Sequence, residues 1–375
     1  MADDANSLVK SARAKMLDIG SSEPTVQSHW SPVKISRHEI AEAVERLSAL
    51  DIGPGQRRTM SIVHPSSTAP GLGLTPGLQV AINVVKAGEI TPSCRQNAAQ
   101  VNISIAGSGF LKTSHGELAL GKWDVCNIPS MQVYQHRNDG QSDWVFLSYS
   151  NAPLLEKLGV HFIETGAAAE SPRQELAAGS IRAEVNRGSA PDIPMDDYGA
   201  RLRGYEFLTD IEVVPSLPHV WSWSKILPEL STAPDDGKRG IMLLYNPATE
   251  RRNGTTHSFF VTASSVAPGA PPRPVGRGHR HSSVAINYHF AGSGWSRVGD
   301  EEISWEAGDL LLSAPGWSEH AHYMNPEGAM VFTVQDHPLQ IGMESLIWQE
   351  DMSGPILTLG SEAGVKGYIG PRQKA

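Results

Sequence analysis

The chain has 375 residues, enough for two or three domains or one large enzyme, and 40% of them are hydrophobic. A sizeable core can be buried, which excludes a disordered chain or a disulfide-stapled miniprotein. Acidic residues outnumber basic ones by 40 to 31, a formal net charge of −9, and no Lys/Arg-rich block argues for a nucleic-acid backbone as partner.

Met1 to Gly20 carries no apolar run of the kind a secretion signal needs. The clearest helix is Ser36 to Leu50, SRHEIAEAVERLSAL, with Ser36 as N-cap, Glu39 as capping-box partner and Ile40, Val44 and Leu47 as the apolar stripe. Ser61 to Val85 has no Asp, Glu, Lys or Arg, but His64, Pro65, Pro70, Gly71 and Pro76 break it, so it cannot satisfy its backbone in lipid. A soluble, cytoplasmic protein is expected, with Cys94 and Cys126 as free, partly buried thiols in a reducing compartment.

The remaining elements read mostly as strands. Gln100 to Ala106 and Val284 to Phe290 alternate, are rich in β-branched or aromatic residues, and are expected to end at a Gly-containing turn. Gly116 to Val125 and Glu301 to Trp317 follow them, with turn residues every ~8–12 positions, the rhythm of a small antiparallel barrel or jelly roll. With 36 Gly and 26 Pro, the composition suits strands joined by tight turns. Gly166 to Pro191 is expected to be an exposed linker, and the Gly-rich tail after Gly354 to cap a barrel or a partner subunit.

The chain repeats itself. Cys94 to Gly109 (CRQNAAQVNISIAGSG) matches His279 to Gly294 (HRHSSVAINYHFAGSG). In the same order, His29-Trp30 answers His219-Val220-Trp221, Thr59–Pro65 answers Ile241–Pro247, Pro129–His136 answers Pro315–His322, and Asn151–Leu154 answers Asp336–Leu339. Five matches in one order mean duplication, with one barrel per repeat.

The second repeat carries the chemistry. Residues two apart on a strand share a face, so His279 and His281 can present both imidazoles to one metal, with His320 as a third ligand from a later strand. Three neutral nitrogens leave coordination positions open, as a catalytic site requires. The same inward face continues through Ser283, Ala285, Asn287 and His289, and His322 shares a face with His320. At the ligand positions the first repeat has Cys94, Gln96 and Tyr134, a poor ligand set, so that barrel is expected to hold no catalytic metal.

The pattern Gly276-x-x-His279-x-His281, Gly308-Asp309, Pro315-x-Trp317-x-x-His320 resembles the two cupin motifs. The duplication, the run Asn246-Pro247-Ala248-Thr249 and the ending Pro-x-Trp-x-x-His-x-His resemble the bicupins of the gentisate and salicylate 1,2-dioxygenase family, from about Trp30 to Leu346. The resemblance implies an all-β fold of duplicated cupin barrels, each a double-stranded β-helix jelly roll, with a few peripheral helices. It divides the chain into an N-terminal helical arm (1–55), a cupin lacking metal ligands (56–165), a linker and arm (166–235), a metal-bearing cupin (236–345) and a tail (346–375).

It further implies an extradiol-type aromatic ring-cleavage dioxygenase of class EC 1.13.11, with one Fe(2+) per chain, O2 as cosubstrate, a small hydroxylated aromatic acid as substrate, and a homo-oligomer, dimer or tetramer. His279, His281 and His320 would hold the iron and His322 would act as a catalytic proton carrier. No carboxylate follows His281, which argues against the four-ligand manganese cupins. Asn287 stands where the family usually places an Arg that grips the substrate carboxylate, which weakens the case for plain gentisate. Ala285, His289 and Trp317 would complete the substrate pocket, with Arg251, Arg252 or Arg277 as substitute cations. The alternatives are a non-catalytic binding or storage bicupin, and a three-histidine oxygenase acting on a diketone or thiol.

Overall fold

The computed structural model describes residues 30–171, 190–209, 215–231 and 240–359, and the chain is predominantly β. In the first half, a six-stranded antiparallel sheet runs in the order Val220–Trp221, Val125–Ile128, Gln100–Ala106, Trp144–Ser150, Gln79–Val85, Arg58–Ile62. A five-stranded sheet containing Cys94–Gln96 and Tyr134–Arg137 accompanies it. The second half repeats the plan with longer strands. Ala285–Val298 and His320–Gln335 pair along most of their length within a seven-stranded sheet, and Arg280–His281 joins Ile347–Gln349 and Leu357–Thr358 in a small sheet of its own.

The repeats share register as well as sequence. Cys94 pairs with Tyr134 in the first, and His279 pairs with His320 in the second. Glycine is required at matching positions of the Ala-Gly-Ser-Gly motif. Gly107 (φ 68°) and Gly292 (φ 76°) are left-handed, and a Cβ there would stand 2.3 Å from the Asp143 carbonyl oxygen and 1.9 Å from that of Gly328. In the first repeat the strand does break at this motif. In the second the expected turn is absent: the motif lies inside the continuous strand Ala285–Val298 as two register shifts, because His320–Gln335 keeps pairing across it.

The helix spans Arg37–Ala49, capped by Ser36 with the reciprocal Glu39 bond. It buries Ile40, Ala43 and Leu47, with Val44 at the margin, against the first-half core. Just before it, Val33–Ile35 pairs with Leu310–Leu312 of the other barrel. The second repeat does the converse: Val220–Trp221 pairs with Val125–Cys126 of the first barrel, and the helix Trp223–Ser231 that follows packs on its own. Each barrel therefore carries a strand contributed by the other repeat.

Two matching aspartates fasten these exchanges. The Asp309 carboxylate accepts from the Arg37 backbone N–H at 2.7 Å, at the start of the first helix. Asp124 accepts from the Trp223 N–H at 2.7 Å, at the start of the other. The second carboxylate oxygen of each ties its own turn, to Glu306 N and Gly121 N. A continuous core fills the space between the sheets, joining Val101, Leu147 and Tyr149 to Ile286, Phe290 and Phe332.

Two expectations about connecting segments need adjustment. Of the segment read as an exposed linker, 167–170 forms the short helix Ala167–Glu170. Its Ala169 is buried, and Arg95 donates to the Ala168 carbonyl. Residues 172–189 and His29 lie outside the described residues. The tail begins by pairing with the strand next to His281, and 360–375 also lies outside.

Candidate metal centre

His279, His281 and His320 come together. One nitrogen from each lies within 4.8 Å of the others, the one such cluster of His, Cys, Asp or Glu among the described residues. Backbone pairing sets this geometry. His279 N–H donates to the His320 carbonyl at 3.1 Å and His320 N–H to that of His279 at 2.9 Å. Gly278 permits the approach, since a Cβ there would stand 2.1 Å from the His320 carbonyl oxygen. Outside, Arg277 pairs with Glu319, which also accepts from Gly278 N–H at 2.8 Å, clamping the two segments.

Two of the three rings have their tautomer fixed by a serine carbonyl. His281 Nδ1–H donates to Ser283 O at 2.7 Å, and His320 Nδ1–H to Ser318 O at 3.0 Å, so each ring presents the Nε2 lone pair. Burial pushes His281 down to about 4, so its imidazole is neutral across the ordinary pH range and available to a metal. A largely buried three-nitrogen donor set with no carboxylate fits a divalent transition ion.

His322 lies beside the cluster, its ring 5.8 Å from that of His320, and its Nδ1 is 2.8 Å from Ser296 Oγ, which accepts from Trp305 Nε1–H at 3.0 Å. His289 is buried deeper in the barrel, stacked on Trp305 at 3.8 Å. Asn287 is buried on the same face of the strand. One N–H of its side-chain amide donates to Ser313 Oγ at 3.0 Å, and its Oδ1 has no hydrogen-bond partner among the described residues. Ala285 is buried between Ala314 and Gln335.

The other pocket candidates stand apart in their contacts. The Trp317 ring packs under the Arg280 guanidinium at 4.5 Å, and Arg280 alternates to the face opposite His279 and His281. Arg251 and Arg252 are exposed on the 3-10 turn Pro247–Arg252, where Arg252 reaches His257.

Sequence reasoning missed the groups behind the histidines as a supporting set: Ser283, Ser318, Ser296, Trp305 and His337. A signal existed for three of them. The first repeat has Ala98, Leu111 and Ala152 where the second has Ser283, Ser296 and His337.

No family model matches the chain. Solved structures share its architecture: a salicylate 1,2-dioxygenase from Pseudaminobacter salicylatoxidans superposes with a TM-score of 0.67, covering 87% of this chain and 90% of that one at 14% identity. The chain has the duplicated cupin fold. In sequence this bicupin is similar to a 1-hydroxy-2-naphthoate 1,2-dioxygenase of Nocardioides sp. (strain KP7), 26% identical over 82% of this chain and 74% of the relative. It is also similar to a gentisate 1,2-dioxygenase of Haloferax sp., 25% identical over 83% of each. These names correct one expectation. A 1,2-cleavage of gentisate breaks the bond between the carboxyl- and hydroxyl-bearing carbons, with no vicinal diol at that bond, so the extradiol label does not apply.

Proposed function

We propose that this bicupin is a ring-opening dioxygenase that uses one iron(II) per chain and dioxygen to cleave a hydroxylated aromatic acid between its carboxyl- and hydroxyl-bearing carbons. The working site is in the second barrel (236–345), and the first (56–165) is structural. The observation that carries this reading is the group of three imidazoles with no carboxylate among them. It occurs in a chain whose relatives of known name are aromatic-acid 1,2-dioxygenases.

His279, His281 and His320 would hold the metal, which when bound supplies the redox chemistry that lets dioxygen react with a closed-shell ring. The protein's part is orientation, proton handling and exclusion of water. Ser283 and Ser318 keep two Nε2 lone pairs aimed at one point. His322 is the nearest imidazole outside the ligand set able to exchange a proton with a substrate oxygen. Trp305 can only donate to Ser296, so the serine O–H is available to donate to His322 Nδ1, which leaves the proton on Nε2. The Asn287 side chain offers an uncharged amide rather than a cationic carboxylate clamp, which favours a salicylate substituted differently from gentisate, or a related hydroxyaromatic acid.

Anaerobic reconstitution with iron(II), followed by oxygen uptake across salicylate, gentisate, ring-substituted salicylates and 1-hydroxy-2-naphthoate, tests the reading. Stoichiometric oxygen consumption with a ring-opened diacid is expected for at least one of them. Uptake with a diketone or thiol and with no aromatic acid sinks it, as does metal binding without any uptake.

A further inference from the structure

The proton-bearing side of His281 leads to a second, outer histidine. Ser283, fully buried, places its Oγ 3.0 Å from His281 Nδ1 and 3.1 Å from His337 Nδ1. His281 Nδ1–H already donates to the Ser283 carbonyl. The serine hydroxyl is thereby available to donate onward to His337 Nδ1 while its oxygen faces the same His281 N–H. His337 is held from behind by the Phe260 ring, centroids 5.6 Å apart, and from its own backbone by its place as first residue of the helix His337–Gly342.

The molecule contains its own control for this arrangement. The first barrel has the equivalent helix, Ala152–Lys157, entered from Asn151 as the other is entered from Asp336. There the matching residues are Gln96, Ala98 and Ala152: ligand histidine, serine and outer histidine are replaced together, while the helix and the Pro that follows its first residue remain. Packing alone does not require Ser283 or His337, since the same scaffold closes with two alanines.

We propose that the Ser283 hydroxyl and His337 form a positioning relay that, behind the tautomer set by the Ser283 carbonyl, holds the ring angle of His281 and so tunes the metal affinity of the site. Groups behind a metal-bound imidazole typically change affinity or activity by ~10–100-fold when removed. The inference rests on His279, His281 and His320 being ligands, and its readout is metal binding rather than turnover.

Cobalt(II) is titrated into the purified full chain, following both the dissociation constant and the visible ligand-field bands. Ser283→Ala and His337→Leu should each weaken binding by ~10-fold or more and alter the bands. His337→Asn, whose amide oxygen can occupy the place of Nδ1, should stay within a few-fold of the wild type with its bands restored. Wild-type affinity and spectrum in Ser283→Ala and His337→Leu overturn the relay alone. Equal losses in His337→Leu and His337→Asn overturn it too, because the role would then be packing. A wild-type chain that binds no cobalt overturns the ligand assignment itself, a result distinct from the other two.

Discussion

The two barrels share a backbone plan and differ in what they do with their interiors. The first fills its interior with side chains: Leu111, Leu120, Ile128, Trp144 and Phe146 form an apolar cluster with both cysteines. Its polar groups spend their hydrogen bonds on one another. Gln96 donates to Gln100 at 3.3 Å, Gln100 to Asn102 at 2.7 Å, and Asn102 to His136 at 2.9 Å. Burial, reinforced by Arg57, holds His136 well below its usual range, so the neutral ring can accept. In the second barrel the corresponding apolar cluster shrinks to Trp305, Leu311 and Ala329, and the serines hold histidines in place. A satisfied polar ladder is rigid and has nothing left to offer a ligand. Three imidazoles, two of them with their outer nitrogens tied down, offer three lone pairs.

The largest effect should come from breaking that contrast at its centre. His281→Ala should abolish metal retention and oxygen uptake together, whereas Gln96→Ala at the matching position should leave both within about two-fold, since it removes a ladder hydrogen bond of ~1 kcal/mol far from the metal. Metal analysis of the purified variants checks this, and two metals per wild-type chain would mean that the first barrel also holds one.

The shared scaffold predicts the next effect. Gly107→Ala and Gly292→Ala both force a side chain into left-handed backbone and onto a carbonyl, so each should lose at least ~2 kcal/mol in denaturant unfolding. Similar losses are expected although one barrel is proposed to be catalytic and the other not. A tolerated Gly107→Ala would show that the repeats are equivalent in sequence without being equivalent in strain.

The duplication, the capping box at Ser36 and Glu39, and the histidine set were legible in the sequence because each is a local pattern or a spacing. The strand exchange was not. Val33–Ile35 is too short to name its partner, and Asp309, although part of a recognisable motif, acts on Arg37, far away along the chain. The continuous strand through Gly292 was hidden for the same reason: only the pairing with His320–Gln335 decides whether a Gly-Ser-Gly run turns or bulges. His337 precedes a proline at a helix start and reads as loop chemistry until Ala152 is placed beside it.

The reciprocal aspartates give a smaller, graded comparison. Asp309 is buried and Asp124 half-buried, so Asp309→Ala should cost more than Asp124→Ala, each within ~1–3 kcal/mol for a lost cap and an unpaired N–H. Equal losses, measured by equilibrium unfolding, would mean that burial does not set the difference.

The last contrast is one of pH. Asn151 Oδ1 accepts from Ala99 N–H at 2.9 Å, and Asp336 Oδ1 accepts from Val284 N–H at 2.8 Å, at the matching place. The amide cannot titrate. Burial pushes the Asp336 carboxyl up to about 7, so the folded state keeps a proton that the unfolded state releases near 4. Its contribution to stability is therefore fully present below about pH 4 and is lost as pH rises through 7. His281 and His337, pushed down to about 4 and about 3 by burial, work in the opposite sense: their contribution is present above the usual histidine range and is lost as pH falls toward those values. The two trends overlap, so a single melting curve against pH would not separate them. Asp336→Asn does. It makes the substitution that the first barrel already carries, retains an acceptor for Val284, and leaves both histidines in place. For metal-free protein, the stability of Asp336→Asn relative to wild type should grow between pH 4 and 7 by up to ~4 kcal/mol and level off above. A difference that stays flat across that window would show that Asp336 ionises normally.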